Sequence, residues 1–349
     1  MGIITNTIET YQLSGAEHEA MREDLSDIIY NISPTETPFM MMIGRGTATQ
    51  TRHEWQTDIL SDVNLANAVD EGDDITAWPT TVGSYRIDNI CQISNKLVLV
   101  SGTAEVVDKA GRKSELAYQL AKRAKELKRD MESILIAGDA LVTGTPQAKD
   151  IGSAVLARQL APYETWMTDG LDAGWTGNNQ PQNLGTGTTP GVAPTSPNGF
   201  SPTDSTGIRV DGTQRAFSEA DLKDVIKQCW DQGGDPTVIM TGSFNKQAAS
   251  AFSGNTTRFD RSEDMRLVTA VDIYVSDFGE HRIVPNRFSR DRSVLVITPS
   301  MWSVDYLRGF RQFPLAKTGD AEKRELIVEY TLRASNPHAS GIVADLTTS

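Results

Sequence analysis

The chain has 349 residues, enough for two or three compact units, each with its own core. Its 33 Lys and Arg against 46 Asp and Glu leave a net charge of -13, which excludes a dedicated nucleic-acid grip of clustered basic residues. A hydrophobic share of 38% and a mean hydropathy of -0.34 are low for one tight globule, so much surface is loop or is buried between subunits.

Residues 1–20 are polar and irregular and read as an extended arm. They lack the basic head and apolar centre of a signal peptide, and Asn6 stands where a myristoylation signal needs Ser or Thr. No apolar run reaches membrane-spanning length. Cys91 and Cys229 are far apart and read as small buried apolar residues, which fits a soluble chain made in a reducing cytoplasm. The segment EDLSDIIYN (23–31) suits a short helix with Leu25, Ile28 and Ile29 on one side. Pro34 and Pro38 are expected to forbid helix after it, leaving residues 39–43 as an apolar docking anchor.

Residues 47–58 and 84–99 both read as strands, rich in Thr, Val, Ile, Tyr and Trp. On the first, Thr49, Thr51, His53, Trp55 and Thr57 share one face, and Gln50, Arg52, Glu54, Gln56 and Asp58 the other. Such an arm reaches about 40 Å, yet an isolated two-stranded ribbon is marginal in water. The ribbon therefore needs something to lie on, and a second copy of the chain is the expected support. Between its arms stands the acidic cluster Asp70, Glu71, Asp73 and Asp74. Its spacing does not match a calcium loop. It reads either as a solvated tip or as a tip pairing with basic residues of a neighbouring subunit.

Ser101-Gly102-Thr103 ends the ribbon, and a long helix is predicted from there to about residue 137, its first turns interrupted by Gly111. Leu116, Leu120, Ala124, Leu127, Met131, Ile134 and Leu135 recur at steps of three and four. Lys122, Arg123, Lys125, Lys128 and Arg129 line its polar side, but Glu115, Glu126, Asp130 and Glu132 are interleaved with them. The side reads as a solvated or subunit-facing surface rather than a nucleic-acid stripe.

Residues 140–160 suggest another helix, with Ile151, Val155, Leu156 and Leu160 as its apolar side. From about 165 to 213 the chain is crowded with Gly, Thr, Pro, Asn and Ser and reads as an insertion. Ser218 then caps a clear amphipathic helix bearing Leu222, Val225, Ile226, Cys229 and Trp230, ended by Gly233 and Gly234. A strand at 238–240, a helix from Ser243 stopped at Gly254, a buried strand at 267–275 and a strand at 282–285 follow. The last part is β-rich at 294–298, 301–307, 326–332 and 341–346, with 316–324 as a hairpin turn. Lys317, Lys323 and Arg324, with Arg308 and Arg311, form its most basic neighbourhood.

No catalytic constellation emerges. His18, His53, His281 and His338 are scattered, and no HExxH, zinc-spaced Cys pair, G-x-S-x-G elbow or phosphate loop occurs. The Thr241-Gly242-Ser243-Phe244 corner reads as a strand-to-helix turn, and Asp73 and Asp74 alone do not argue for acid–base work. No enzyme activity, cofactor or metal is expected.

Four phrases in order, EDLSDIIYNISPTETPF (23–39), TRHEWQTD (51–58), GRKSELAYQLAKRAKELKRDMES (111–133) and CWDQGGDPTVIMTGSFNKQ (229–247), resemble the major capsid proteins of tailed bacteriophages. The resemblance spans nearly the whole chain except about 165–210. It implies an α+β fold with an N-terminal arm (1–46), an extended β-hairpin loop (47–102), a peripheral domain with a long spine helix (103–139 and 293–349) and an axial domain (140–292). It further implies pentamers and hexamers closing into an icosahedral head around double-stranded DNA. The expected partners are the chain itself, a separate scaffolding protein, a portal and decoration proteins. DNA is expected to be held by proximity without sequence-specific binding, and no membrane is expected. The resemblance implies a place in the virion, after assembly in the host cytoplasm. The acidic balance fits a lining that lets DNA slide. Some such proteins cross-link through Lys and Asn, and no such pair is assigned here. The contact candidates between subunits are Trp55, Asp70, Glu71, Asp73, Asp74, Arg308, Arg311, Lys323 and Arg324. An encapsulin-like shell protein of the same fold, or a soluble hydrolase with a carboxylate site, are the alternatives.

Overall fold

The computed structural model describes residues 36–58, 63–65, 67–69, 71–72, 84–107, 112–138, 147, 149–153, 156–167, 214–252 and 273–348. The expected arm and helix before residue 36, Asp70, Asp73, Asp74, most of the Gly/Thr/Pro-rich insertion and the strand residues 267–272 lie outside them.

Two sheets share one core. Strands β1 (Gly44–Thr47), β4 (Gln92–Ser101), β9 (Trp302–Pro314) and β10 (Ala321–Ala334) form a four-stranded sheet in the order β1-β9-β10-β4. β1 runs parallel to β9, pairing Gly46 with Asp305. Any Cβ at Gly46 would stand 2.4 Å from Asp305 Oδ1, so a side chain there would displace the Asp305 carboxylate. The second sheet takes β5 (Val238–Thr241), β6 (Ile273–Ser276), β7 (Gly279–Pro285), β8 (Val294–Ile297) and β11 (Gly341–Val343) in the order β11-β8-β5-β7-β6. β8 is buried on both sides, which explains its unbroken apolar run. Leu295 and Ile297 join a core with Trp302, Tyr330, Leu127 and Met131, whereas Val294 and Val296 face Leu222, Val225 and Ile226 of the capped helix. The structure thus divides segment 293–349 between the two sheets: β9 and β10 join β4, and β8 and β11 join β5.

Several elements differ from expectation. Pro38 opens a short helix, α1 (Pro38–Met42), rather than forbidding one, because the first helical position needs no N–H donor. The long helix is broken in two, α2 (Gly102–Val106) and α3 (Glu115–Ile136). At about 1.5 Å per residue α3 is about 33 Å long. The break is chemically sealed: Ser114 accepts from Ala117 N at 3.2 Å, and Glu105 accepts from Glu115 N and Leu116 N at 2.9 and 3.1 Å. Of the predicted helix at 140–160, the described residues (147, 149–153 and 156–160) form no helix. Asp150 and Gln159 pair instead, around a turn with Gly152 at φ 81°. Ile151 and Leu156 are exposed there while Leu160 is buried, so these side chains do not share one face. Strand β6 is an edge with Ile273 and Val275 exposed, not a buried strand.

The ribbon is shorter than predicted. β2 (Arg52–Thr57) and β3 (Tyr85–Ile90) pair over six residues, from Arg52↔Ile90 to Thr57↔Tyr85, about 20 Å. The chain then turns at Cys91 and enters β4, which leaves the ribbon for β10. Ile87, Asn89, Ile90 and Cys91 are buried, so this stretch belongs to the body and cannot run out into solvent.

Short helices complete the frame: α4 (Tyr163–Trp166), α5 (Glu219–Asp231) and α6 (Ser243–Ser250). Ser218 caps α5 through Asp221 N at 3.2 Å, as its sequence predicts. Buried Glu132 of α3 accepts from Phe39 N (2.6 Å), Met40 N (2.9 Å) and Asn286 Nδ2 (2.8 Å), fastening α1 to the core. Burial pushes its pKa up, against the pull of these three donors.

Candidate inter-subunit surface

The ribbon's base is fixed to its own chain. Trp55 Nε1 donates to Ala334 O at 2.8 Å, and its ring lies 5.8 Å from that of Trp166. Trp55, one of the contact candidates, thus packs its indole against its own subunit. Buried Asn89 donates to Leu332 O and Ala161 O at 2.7 and 3.1 Å and accepts from Ile90 N and Ala161 N at 2.8 and 2.9 Å. Asp88 holds Arg52 Nε at 2.7 Å and Lys149 Nζ at 3.1 Å. Burial opposes its ionisation, but Arg52 and Lys149 prevail and keep its pKa below the ordinary value. Asp305, between His53 Nε2 at 2.8 Å and Ser303 Oγ at 2.7 Å, follows the same pattern: burial raises, while His53, Ser303 and Arg333 lower it further.

Beyond this base the four-stranded sheet has two unlike faces. Val98 and Val100 of β4 are buried on the side where Lys96 meets Asp130 of α3 at 2.5 Å. Ile93, Leu97 and Leu99 point the other way and are exposed, Leu97 at 58% and Leu99 at 66%. Register sets Leu99 beside Lys323, Leu97 beside Glu325 and Phe313, and Asn95 beside Ile327 and Arg311. At one end the turn at 150–159 adds Ile151 and Leu156, forming with Ile93 and Arg158 a groove of about 470 Å³.

The predicted basic residues divide between these faces. Arg308, Arg311 and Lys323 share the open face, whereas Arg324 pairs with Val98 and belongs to the α3 side. Arg308 is committed to Glu329 at 2.7 Å, which also takes Arg158 at 2.7 Å. Lys323 donates to Thr318 Oγ1, and Arg324 lies 3.7 Å from Glu322. Arg311 has no ion-pair partner among the described residues. Of the acids, exposed Glu71 also has none among them, and no acid–base pair from the predicted set is formed within the chain as described. Val63, Leu65 and Val69, just before Glu71, are exposed, Leu65 at 93%.

The open apolar face was missed, although a signal for it exists. QISNKLVLVS (92–101) carries apolar side chains on both faces, as does a strand covered on both sides, and α3 covers only one.

A long helix crossing one face of a sheet, a tethered ribbon and a second sheet sharing the core define a shell-forming subunit of the tailed-phage capsid type. Solved structures share that fold: the capsid of a native GTA particle (TM-score 0.62, 10% identity, 96% of this chain and 99% of that one) and the Cyanophage A-1(L) capsid (TM-score 0.59, 13% identity, 95% and 98%). The SU10 major capsid protein family matches residues 3–347. The chain is also 31% identical over 327 residues to the major capsid protein of Escherichia phage Phieco32, across 89% of this chain and 90% of that one. It belongs to the SU10 major capsid protein family. It is a structural protein of the virion, not an enzyme, and self-assembles with other phage proteins into the icosahedral head. The hydrolase reading falls, and the family places the chain with phage heads rather than encapsulins.

Proposed function

We propose that each subunit receives its neighbour on the open face of the four-stranded sheet. A strand apolar on both faces, with one face bare, carries this reading. The occupant is the segment around Glu71 of the next copy, whose Val63, Leu65 and Val69 match Leu97, Leu99 and Phe313. Its acids Asp70, Glu71, Asp73 and Asp74 then approach Arg311 and Lys323. Such contacts repeated around closed rings give pentamers and hexamers. In that reading residues 1–46 are the arm, 47–102 the extended loop, α3 with β9 and β10 the peripheral part, and β5 to β7 with α5 and α6 the axial part. The head encloses double-stranded DNA after assembly in the host cytoplasm, with a separate scaffolding protein, a portal and decoration proteins as partners. Replacing Asp70, Glu71, Asp73 and Asp74 by Ser tests the contact. Shell yield is expected to fall while the circular dichroism of the subunit stays the same; undiminished yield and shell stability would dismiss it.

A further inference from the structure

The exposed side of α3 carries a ridge of unneutralised positive charge. Lys122, Lys125 and Lys128 are exposed and stand at steps of three, spanning about 9 Å of helix axis. The acids interleaved with them in sequence are occupied elsewhere. Glu115 pairs with Arg112 at 2.5 Å, Glu126 with Arg123 at 2.6 Å and Asp130 with Lys96 at 2.5 Å, while Glu132 is buried on the amides of α1. None of the three lysines has an ion-pair partner among the described residues. Lys128 lies 6.0 Å from the Phe310 ring, a contact that leaves its charge intact. The reason for dismissing a basic stripe from the sequence, its admixture of carboxylates, therefore does not hold in the folded chain.

The chemistry of the ridge separates its possible partners. Protein interfaces are depleted in lysine and built around aromatic and arginine anchors. Here the other exposed positions of the same stretch are Ala117 and Ala121, which offer no anchor. Phosphate contacts need neither, because lysine serves them as a point charge with no demand for shape. The apolar face suited to a second copy lies on the opposite side of the sheet from α3. We propose that Lys122, Lys125 and Lys128 form a sequence-independent contact for the phosphate backbone of duplex DNA inside the head, an inference that rests on the enclosed-duplex reading above. At most about three phosphates per subunit, on a chain of net charge -13, make a contact that orients the duplex without gripping it.

Intact filled heads and heads emptied of DNA would be treated with a small amine-reactive reagent, and each lysine quantified by peptide mass spectrometry. Lys122, Lys125 and Lys128 are expected to lose most of their reactivity in filled heads and regain it in emptied ones. Raised salt should restore part of it in filled heads, since such contacts are screened. Equal reactivity in filled and emptied heads would overturn the contact while leaving DNA enclosure intact. Protection in both would place the ridge against a second copy and overturn it equally. Heads that never contain DNA would instead defeat the enclosure reading. In a parallel set, the triple Lys→Arg variant should keep native DNA content and the triple Lys→Gln variant should change it, with subunit folding equal in both; equal DNA content would again count against the contact.

Discussion

Replacing Leu97 and Leu99 by Ser removes apolar surface from the open sheet face without disturbing the core beneath, because Val98 and Val100 face the other way. The two leucines are 58% and 66% exposed. Covering them on assembly buries about 1.2 leucine side chains, about 2.5 kcal/mol per contact at about 2 kcal/mol for a fully buried leucine. In the proposed contact each subunit gives one such surface and receives one, so losing it should raise the critical concentration for shell assembly about 70-fold. Light scattering of purified subunit across a concentration series measures that threshold. Thermal unfolding of the unassembled subunit should move little, since exposed substitutions usually stay within about 0.5 kcal/mol. A variant that folds normally and assembles at the native threshold would refute the claim that this face is covered in the shell.

The ribbon's anchor makes two further expectations. Asn89→Ala leaves Leu332 O and the Ala161 amide without partners in a buried site, and should cost about 3 kcal/mol in denaturant unfolding. Amide exchange at Ile87 and Ile90 should rise with it, and unchanged protection would deny Asn89 that role. Asp88 and Asp305 have folded pKa values below the ordinary one, so their stabilisation is complete above the unfolded carboxylate value. It should be lost as pH falls from there through the depressed values, and Asp88→Asn should flatten that acid limb in thermal melts.

Local signals survived into the fold where they were self-sufficient. The Ser218 cap, the spacing of Leu222, Val225, Ile226 and Cys229, and the apolar run of β8 each identify an element without help from distant chain. Reading failed where a remote partner decides. Residues 84–99 look like one strand, but Asn89 is claimed by Leu332 and Ala161, and the chain bends at Cys91 out of the ribbon into the four-stranded sheet. Residues 140–160 have a helical spacing of apolar side chains, yet Asp150 and Gln159 pair across a turn. Glu105 satisfying the first amides of α3 could not be inferred from spacing, because the two groups meet only after the break between helices has formed. At the candidate contact, the sides were not legible: the β9–β10 register pairs Arg311 with Ile327 and Arg324 with Pro314, which puts the two on opposite faces, and the face left open is the one α3 does not cover.

Glu132 ties the integrity of the interior to α1. Its carboxylate is sealed in the interior and is answered by two backbone amides from α1 and one side-chain amide from Asn286. Phe39 N and Met40 N are two of the three donors that offset the burial of that group, and a buried charge without such donors is costly. Residues 38–47 are therefore part of the interior that they close, rather than an ornament on a finished body.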